Sequence, residues 1–223
     1  MIHLVSSKCI AFMDQTEATP MSFVQRILPW VIGVVTLVIF LLTMSHSITT
    51  SSLPVVSKVT GWDWSPSVQA PVFYIITLPI NFLSSASQPF AMNVLTVFLA
   101  ALALFNLAKS VSLLPHDRTR DQRIREQNDF SLLSSPIAWI PPLFAALVCG
   151  LQLSFWEHAT SATGEMIDLL MFAYLIRCLL EYRIGENEKW LSRFALVYGL
   201  SITNNWAMIA YFPLFLGAVV WIK

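Results

Sequence analysis

Charged residues are scarce in this sequence. Aspartate, glutamate, lysine and arginine make up 12% of the 223 residues, whereas hydrophobic residues make up 56%. A soluble domain of ordinary composition carries about 25% charged residues. The missing charge therefore indicates a chain that lies in a lipid bilayer. Basic and acidic residues balance at 13 each, so no nucleic-acid partner is expected.

Cysteine and the common catalytic motifs are also lacking. Cys9, Cys149 and Cys178 are too few and too widely spaced for a disulfide framework or a metal motif, and we interpret them as small apolar residues. The sequence contains no G-x-x-x-x-G-K-[ST], G-x-G-x-x-G, H-E-x-x-H or G-x-S-x-G. These absences remove support for an ATPase, a soluble nucleotide-sugar enzyme and a serine hydrolase.

Long apolar runs are what the sequence has instead. A helix that spans a membrane needs roughly 20 apolar residues. The predicted membrane segments are 27–45, 90–111, 136–156, 164–180, 193–203 and 206–222. A shorter run at 71–83 predicts an interfacial or re-entrant helix, with a short true span as the alternative. Pro141 and Pro142 should kink or delay the third segment. The predicted fold is all-α, a polytopic membrane helix bundle with about five to six membrane elements.

Lysine and arginine predict the orientation, because they concentrate in cytosolic loops. Grouping them predicts a cytosolic N-terminal tail at 1–26 and a transmembrane domain at 27–223. The outer segments are then 46–89 and 157–163, where Lys58 is the only base. The basic loop 116–129 is interpreted as a solvated cytosolic segment that sets topology, with contact to anionic lipid as the minor alternative.

Four acids fall on the predicted outer side. They are Asp63, Glu157, Glu165 and Asp168. Glu165 and Asp168 are three residues apart, so they share a helix face, and charges within membrane segments often mark function. The alternative is that Glu165 only complements the helix dipole, with Thr163 as the N-cap.

Other polar and aromatic residues accompany these acids. His158 is either an interfacial polar residue or a ligand-binding residue, and one histidine beside carboxylates is a weak metal signal. Asn204 and Asn205 either break a helix or hydrogen-bond a polar ligand. Trp62 and Trp64 either stack on a sugar or anchor their loop at the membrane interface.

Four motifs in order resemble a known family. They are an outer-loop G-x-D, the segment P-x-F-Y-x-x-x-L-P, the stretch FWEHATSATGEMIDLL, and YGLSITNNWAMI. Over about residues 27–223 the chain resembles the bacterial membrane family labelled domain of unknown function 2723, whose animal relatives are protein O-mannosyltransferases. Two positions depart from the family pattern. Pro66 stands where a second acid is usual, and Asn205 replaces the usual histidine.

The resemblance implies a GT-C type glycosyltransferase. Such an enzyme takes a sugar, here mannose-like, from a polyprenyl-phosphate carrier and passes it to a protein or glycan acceptor outside the membrane. Asp63 takes the position of the catalytic acid, acting as general base, and Glu165 matches the family's glutamate. The predicted substrate-binding residues are Trp62, Trp64, His158, Asp168, Asn204 and Asn205. No metal ligand is assigned, although a divalent metal is left open.

The resemblance also implies a location and a size. The expected location is the bacterial inner membrane, with the N-terminus cytosolic and the active site facing the periplasm. GT-C enzymes generally have more membrane segments, so we expect this chain to be the N-terminal part of a larger enzyme. Two alternatives stay open: a transporter or flippase of a lipid-linked sugar, and a non-catalytic membrane assembly subunit.

Overall fold

The computed structural model describes residues 23–63, 70–114 and 139–222, and all regular structure in these ranges is helical. The helices are α1 Phe23–Arg26, α2 Leu28–Thr43, α3 Leu53–Val59, α4 Pro71–Thr77, α5 Gln88–Leu113, α6 Ile140–Gly150, α7 Leu153–Thr160, α8 Glu165–Gly185, α9 Glu188–Asn204 and α10 Phe212–Ile222. Two 3-10 segments, Leu78–Phe82 and Trp206–Tyr211, follow α4 and precede α10. The predicted all-α class is confirmed for the described residues.

Helix α5 is the centre of the packing. It contacts α2, α6 and α8, and α8 in turn packs against α9. Small residues face these neighbours: Ala100, Ala101, Ala103 and Ala108 are all at most 5% exposed. Small side chains let helix backbones approach closely, which is typical of helix interfaces in membranes.

The helices alternate in direction. Ile32 near the start of α2 packs in one cluster with Ala108 near the end of α5, whereas Phe40 near the end of α2 packs with Met92 near the start of α5. Helix α2 is therefore antiparallel to α5. Because Met166 at the start of α8 joins the same cluster as Met92, α8 runs parallel to α5.

This alternation gives the bundle two ends. The acidic end contains the start of α5 and the start of α8, and α8 carries Glu165 and Asp168 there. Helices α3 and α4 and the last residues of α9 lie at the same end. At the basic end lie Lys109, Arg177 and Arg193. The described residues that were predicted to be outer therefore lie at the acidic end, and Lys109, Arg177 and Arg193 lie at the opposite end. The compartment that each end faces stays a prediction.

The number of membrane spans is not established by helix length. Among the described helices, only α5 is long and apolar enough to cross a membrane by itself. The pair α6 and α7 passes together, with a bend of 72° between them. Helix α2, the segment 71–82 and the segment 206–222 are apolar but shorter.

The bend in the third apolar segment lies away from its prolines. Pro141 and Pro142 occupy the first turn of α6, where a missing backbone N–H has no helical partner to lose. The chain bends instead between α6 and α7, at Leu151 and Gln152. The prediction was a kink or a delayed helix start. The kink is absent at the prolines, and the delay concerns residues 136–138, which lie outside the described residues. Helix α9 also begins earlier than predicted, because Asn187 accepts a hydrogen bond from the Lys189 amide as N-cap.

Asn93 joins three parts of the acidic end. It is 1% exposed and lies near the start of the apolar α5. Its Nδ2 donates to the Ser45 carbonyl at 2.7 Å, and its Oδ1 accepts from the Ala162 amide at 3.0 Å. The Ser45 amide also donates to the Thr160 carbonyl at 3.1 Å. One side chain therefore holds the end of α2 and the loop before α8 against α5.

Replacing Asn93 with leucine should destabilise the protein. The substitution leaves the Ser45 carbonyl and the Ala162 amide without this partner, and a buried unsatisfied polar group costs about 1–3 kcal/mol. Thermal unfolding of the purified protein in detergent measures the loss. Asn81→Leu, at an exposed asparagine, is the matched control. Equal melting temperatures for the two variants would contradict the role given to Asn93.

Candidate functional site

The start of α8 is fixed between α3 and α4. Gly164 is its N-cap residue and has a φ of 83°, a left-handed conformation that glycine adopts without strain. A Cβ there would lie 3.7 Å from a Phe73 ring carbon and 3.8 Å from a Val55 methyl. The prediction that Thr163 is the N-cap is wrong, because no side chain caps this helix. Glu165 and Asp168 do lie in its first turn, where negative charge suits the helix dipole.

Three polar side chains meet at this helix start. His158, near the end of α7, has its Nδ1 2.9 Å from the Thr163 hydroxyl oxygen. Its Nε2 lies 3.4 Å from a Glu165 carboxylate oxygen. The His158 side chain is 30% exposed and that of Glu165 is 66% exposed, and such an open ion pair adds at most about 1 kcal/mol of stability. The arrangement presents an accessible carboxylate next to an imidazole, which is a pair of groups that can hold and pass a proton.

Asp168 belongs to a second group, which links three helices. Its Oδ1 accepts from Asn204 Nδ2 at 2.6 Å, and its Oδ2 accepts from Asn205 Nδ2 at 2.8 Å. The Asn204 Oδ1 accepts from the Phe73 amide at 3.0 Å. The Asn205 Oδ1 accepts from the Ala207 amide at 3.0 Å.

These bonds give the asparagine pair a structural role. Asn204 is the last residue of α9 and Asn205 follows it, so the predicted helix break is present. In both asparagines the amide nitrogen donates to Asp168 and the amide oxygen accepts from a backbone amide. Asn204 thereby holds α4 against α8. The predicted ligand-binding role of the pair stays a prediction. Asp168 is half-buried, and each of its carboxylate oxygens can accept a further hydrogen bond.

Asp168→Asn should weaken this link. One carboxylate oxygen becomes an NH2 group, which then faces an asparagine NH2 donor instead of accepting from it. We expect a loss of about 1–3 kcal/mol in the free energy of unfolding. Denaturant or thermal unfolding in detergent checks this result, with Glu157→Gln at an exposed position as the charge-matched control. Unchanged stability of Asp168→Asn would contradict the link.

Asp63 lies in the loop after α3. Its backbone amide donates to the Ser57 carbonyl at 3.1 Å, and its side chain is half-buried. Gly61, with a φ of 75°, supplies the left-handed turn that the chain needs there. Trp62 is 54% exposed, whereas Trp64 lies outside the described residues.

Helix α3 places this loop at the acidic end. Its Val56 and Val59 pack in the same cluster as Met166 and Ile167 of α8. An ion-pair contact joins Glu165 to His158, and hydrogen bonds join Asp168 to its asparagines.

Some residues of this end were not predicted as contributors. Thr163 was considered only as a cap, and Asn93 was not singled out. An asparagine within an apolar helix was the available signal for Asn93, because such residues commonly hydrogen-bond across helices. Within the described ranges, no group of three or more histidine, cysteine, aspartate or glutamate residues could hold a metal ion.

The fold and this site define an apolar protein, all-helical in its described residues, with acids, amides and histidines gathered at one end of its bundle. Residues 67–223 match the family described as the protein O-mannosyl-transferase TMEM260 N-terminal domain, and the chain belongs to this family. No curated protein and no solved structure matches the chain.

The family match confirms the relation to O-mannosyltransferases. It does not confirm the bacterial label that the motifs resembled. The matched range includes His158, Glu165, Asp168 and the asparagine pair, whereas Asp63 precedes it. Family membership and the single long apolar helix together support a membrane protein with a glycosyltransferase-related function.

Proposed function

We propose that this chain forms part of a membrane O-mannosyltransferase of the GT-C type. The enzyme takes a mannose-like sugar from a polyprenyl-phosphate carrier and passes it to a hydroxyl group of a protein or glycan acceptor. The family match over residues 67–223 carries the proposal. The gathering of Glu165, His158 and Asp168 at one end of the bundle supports it.

An apolar surface beside the acids suits a lipid-linked donor. Helix α4 and the 3-10 segment after it expose Ile75 by 63% and Phe82 by 93%. The Phe73 amide of the same helix is bonded to Asn204, which also bonds Asp168. A prenyl chain that lies along this surface brings its phosphate towards the acidic end without leaving the bilayer.

The transfer step needs a base for the acceptor. In the proposed mechanism Asp63 accepts the proton of the attacking hydroxyl as that oxygen bonds to the sugar's anomeric carbon. The bond from that carbon to the carrier phosphate breaks, and polyprenyl phosphate leaves. Glu165 and His158 act as the neighbouring proton-holding pair, and Trp62 and Trp64 contact the sugar or the membrane interface.

The proposed membrane arrangement keeps the acidic end outside. It has five to six membrane elements, a cytosolic N-terminus and an active site facing the periplasm of a bacterial inner membrane. The concentration of basic residues at the opposite end supports this orientation.

Single-cysteine labelling tests the orientation. In a variant with Cys9, Cys149 and Cys178 replaced by alanine, a cysteine at Ser57 should react with an impermeant maleimide added to intact cells or spheroplasts. A cysteine at the exposed Ser192 of α9 should react only after the membrane is permeabilised. Labelling of position 192 from outside, with protection of position 57, would reverse the orientation.

A transfer assay tests the proposed activity. The purified full-length protein should move labelled mannose from polyprenyl-phosphate mannose to an acceptor, and should not use a nucleotide-linked mannose directly. In sealed vesicles, movement of the intact donor across the membrane without any product would favour the transporter alternative. Neither product nor movement would favour a non-catalytic subunit.

A further inference from the structure

The first turn of α4 is capped by a side chain from another helix. The Phe73 amide lies in this turn, and the first amides of a helix have no carbonyl partner within that helix. The N-cap residue Ala70 supplies no side-chain acceptor for them. Asn204 Oδ1, at the end of α9, accepts from the Phe73 amide at 3.0 Å. A residue 131 positions later in the chain therefore holds the start of α4.

Asn204 is fixed in turn by α8. Its Nδ2 donates to Asp168 Oδ1 at 2.6 Å, and the residue is only 4% exposed. The bridge works in one orientation, because the amide oxygen must face the Phe73 amide and the NH2 group must face the carboxylate. Packing adds a second contact between α4 and the start of α8, since a Phe73 ring carbon lies 3.7 Å from the position of a Cβ on Gly164.

Helix α4 has one anchored face and one open face. Phe73 and Thr77, four residues apart, are buried, whereas Ile75 between them is 63% exposed. The 3-10 segment that continues α4 ends at Phe82, which is 93% exposed. We use the term open face for Ile75 and Phe82. Because the anchored face is held by Asn204, the link from Asp168 through Asn204 sets where the open face lies relative to the acids.

We propose that Asp168 and Asn204 are positioning residues that set the open face of α4 for the prenyl chain of the donor, rather than residues that contact the sugar. The proposal rests on the donor surface of the proposed function. Without the link the start of α4 can move, so the prenyl chain loses contact while the reacting groups keep theirs. The loss should therefore fall on the binding of the lipid and not on the chemical step.

Exchanging the two side chains tests the link. In Asn204→Asp two carboxylates face each other and repel, and in Asp168→Asn two NH2 groups face each other. In the exchanged variant Asp168→Asn/Asn204→Asp, the carboxylate at position 204 accepts from both the Phe73 amide and the new NH2 group at position 168. The amide oxygen at position 168 still accepts from Asn205 Nδ2. The exchange thus regains these hydrogen bonds without changing the net charge.

Binding of polyprenyl phosphate measures the effect without sugar transfer. The lipid is titrated into the purified full-length protein in detergent, and bound lipid is counted by native mass spectrometry. Each single variant should raise the dissociation constant about tenfold, the order of effect expected when a positioning element shifts. The exchanged variant should return to within about threefold of the unmodified protein, because the two changes compensate each other.

A matched pair of surface variants tests the open face while leaving the link intact. Ile75→Ser should raise the dissociation constant about tenfold, because it removes apolar area that the chain would cover. Leu196→Ser changes a leucine of α9 that is 64% exposed, and it should have an effect of less than about twofold, as for an ordinary surface change. Adding Asn204→Asp to Ile75→Ser should raise the constant little further, because both act on one contact.

Three results would overturn the positioning role. The first is an exchanged variant that melts at the temperature of the unmodified protein but does not regain lipid binding. The second is an exchanged variant that melts below both single variants. The third is an equal effect of Ile75→Ser and Leu196→Ser. An unmodified protein that does not bind polyprenyl phosphate would overturn the donor surface and this role together.

Transfer kinetics separate this inference from the proposed function. The single variants should raise the KM for the polyprenyl-phosphate mannose donor with little change in kcat, and the exchanged variant should restore it. Transfer by the unmodified protein without recovery in the exchanged variant would overturn the positioning role alone. Recovery of lipid binding in the exchanged variant, with no transfer by the unmodified protein, would overturn the transferase function and leave the positioning role standing.

Discussion

Replacing Asp63 with asparagine should reduce mannosyl transfer by the full-length protein by about 100-fold or more. A general base typically contributes about 10²–10⁴-fold to a rate, and the amide side chain cannot accept the acceptor's proton. Asp63 is the only acid in residues 46–89, so no other carboxylate of that segment can replace it. Steady-state transfer from a polyprenyl-phosphate mannose donor measures the effect.

The control for Asp63 must separate chemistry from turn structure. Asparagine forms the same turn hydrogen bonds as aspartate, and the backbone bond from residue 63 to the Ser57 carbonyl does not involve the side chain. The melting temperature of Asp63→Asn, measured beside that of the unmodified protein, verifies that the variant is folded. Near-normal transfer by this well-folded variant would end the catalytic role of Asp63.

Glu165→Gln should lower transfer by about 10-fold or more while leaving stability nearly unchanged. Glu165 is 66% exposed and contacts His158 at 3.4 Å, so its contribution to folding is small. The substitution removes the carboxylate that lies 3.4 Å from the His158 imidazole. Steady-state transfer by the purified variant, together with its melting temperature, measures both effects.

Two matched variants define what the Glu165 result means. Glu157→Gln removes an exposed acid on α7 and should leave transfer within about twofold of normal, the range of an ordinary surface change. Thr163→Val removes the hydroxyl on the other side of His158 and should have an intermediate effect. Equal rates for Glu165→Gln and Glu157→Gln would show that the Glu165 charge has no part in the reaction.

The helical elements could be predicted from apolar runs, but their interruptions could not. The run 90–111 corresponds closely to α5 at Gln88–Leu113, because a long uninterrupted apolar stretch has one stable conformation in this setting. The bend at Leu151 and Gln152 contains no proline, so no residue there predicts it from the sequence. It arises where α6 and α7 each pack against α5, which is a tertiary effect.

The candidate site was predictable in its residue types but not in its pairings. The spacing of Glu165 and Asp168 placed them on one helix face, yet they join different groups. Asp168 binds Asn204, 36 positions later, and Asn204 binds a backbone amide 131 positions earlier. Such pairings depend on how α4, α8 and α9 pack, and no local periodicity contains that information.

Transfer resolved by side of the membrane tests the central claim most directly. The full-length protein is reconstituted in sealed vesicles with polyprenyl-phosphate mannose in the bilayer, and its orientation is measured by the labelling of positions 57 and 192. An impermeant peptide containing serine and threonine is then supplied on one side only. The account predicts mannosylated peptide only when the peptide is on the side of the acidic end, where Glu165 and Asp168 lie. Product formed only with the peptide at the basic end would contradict it.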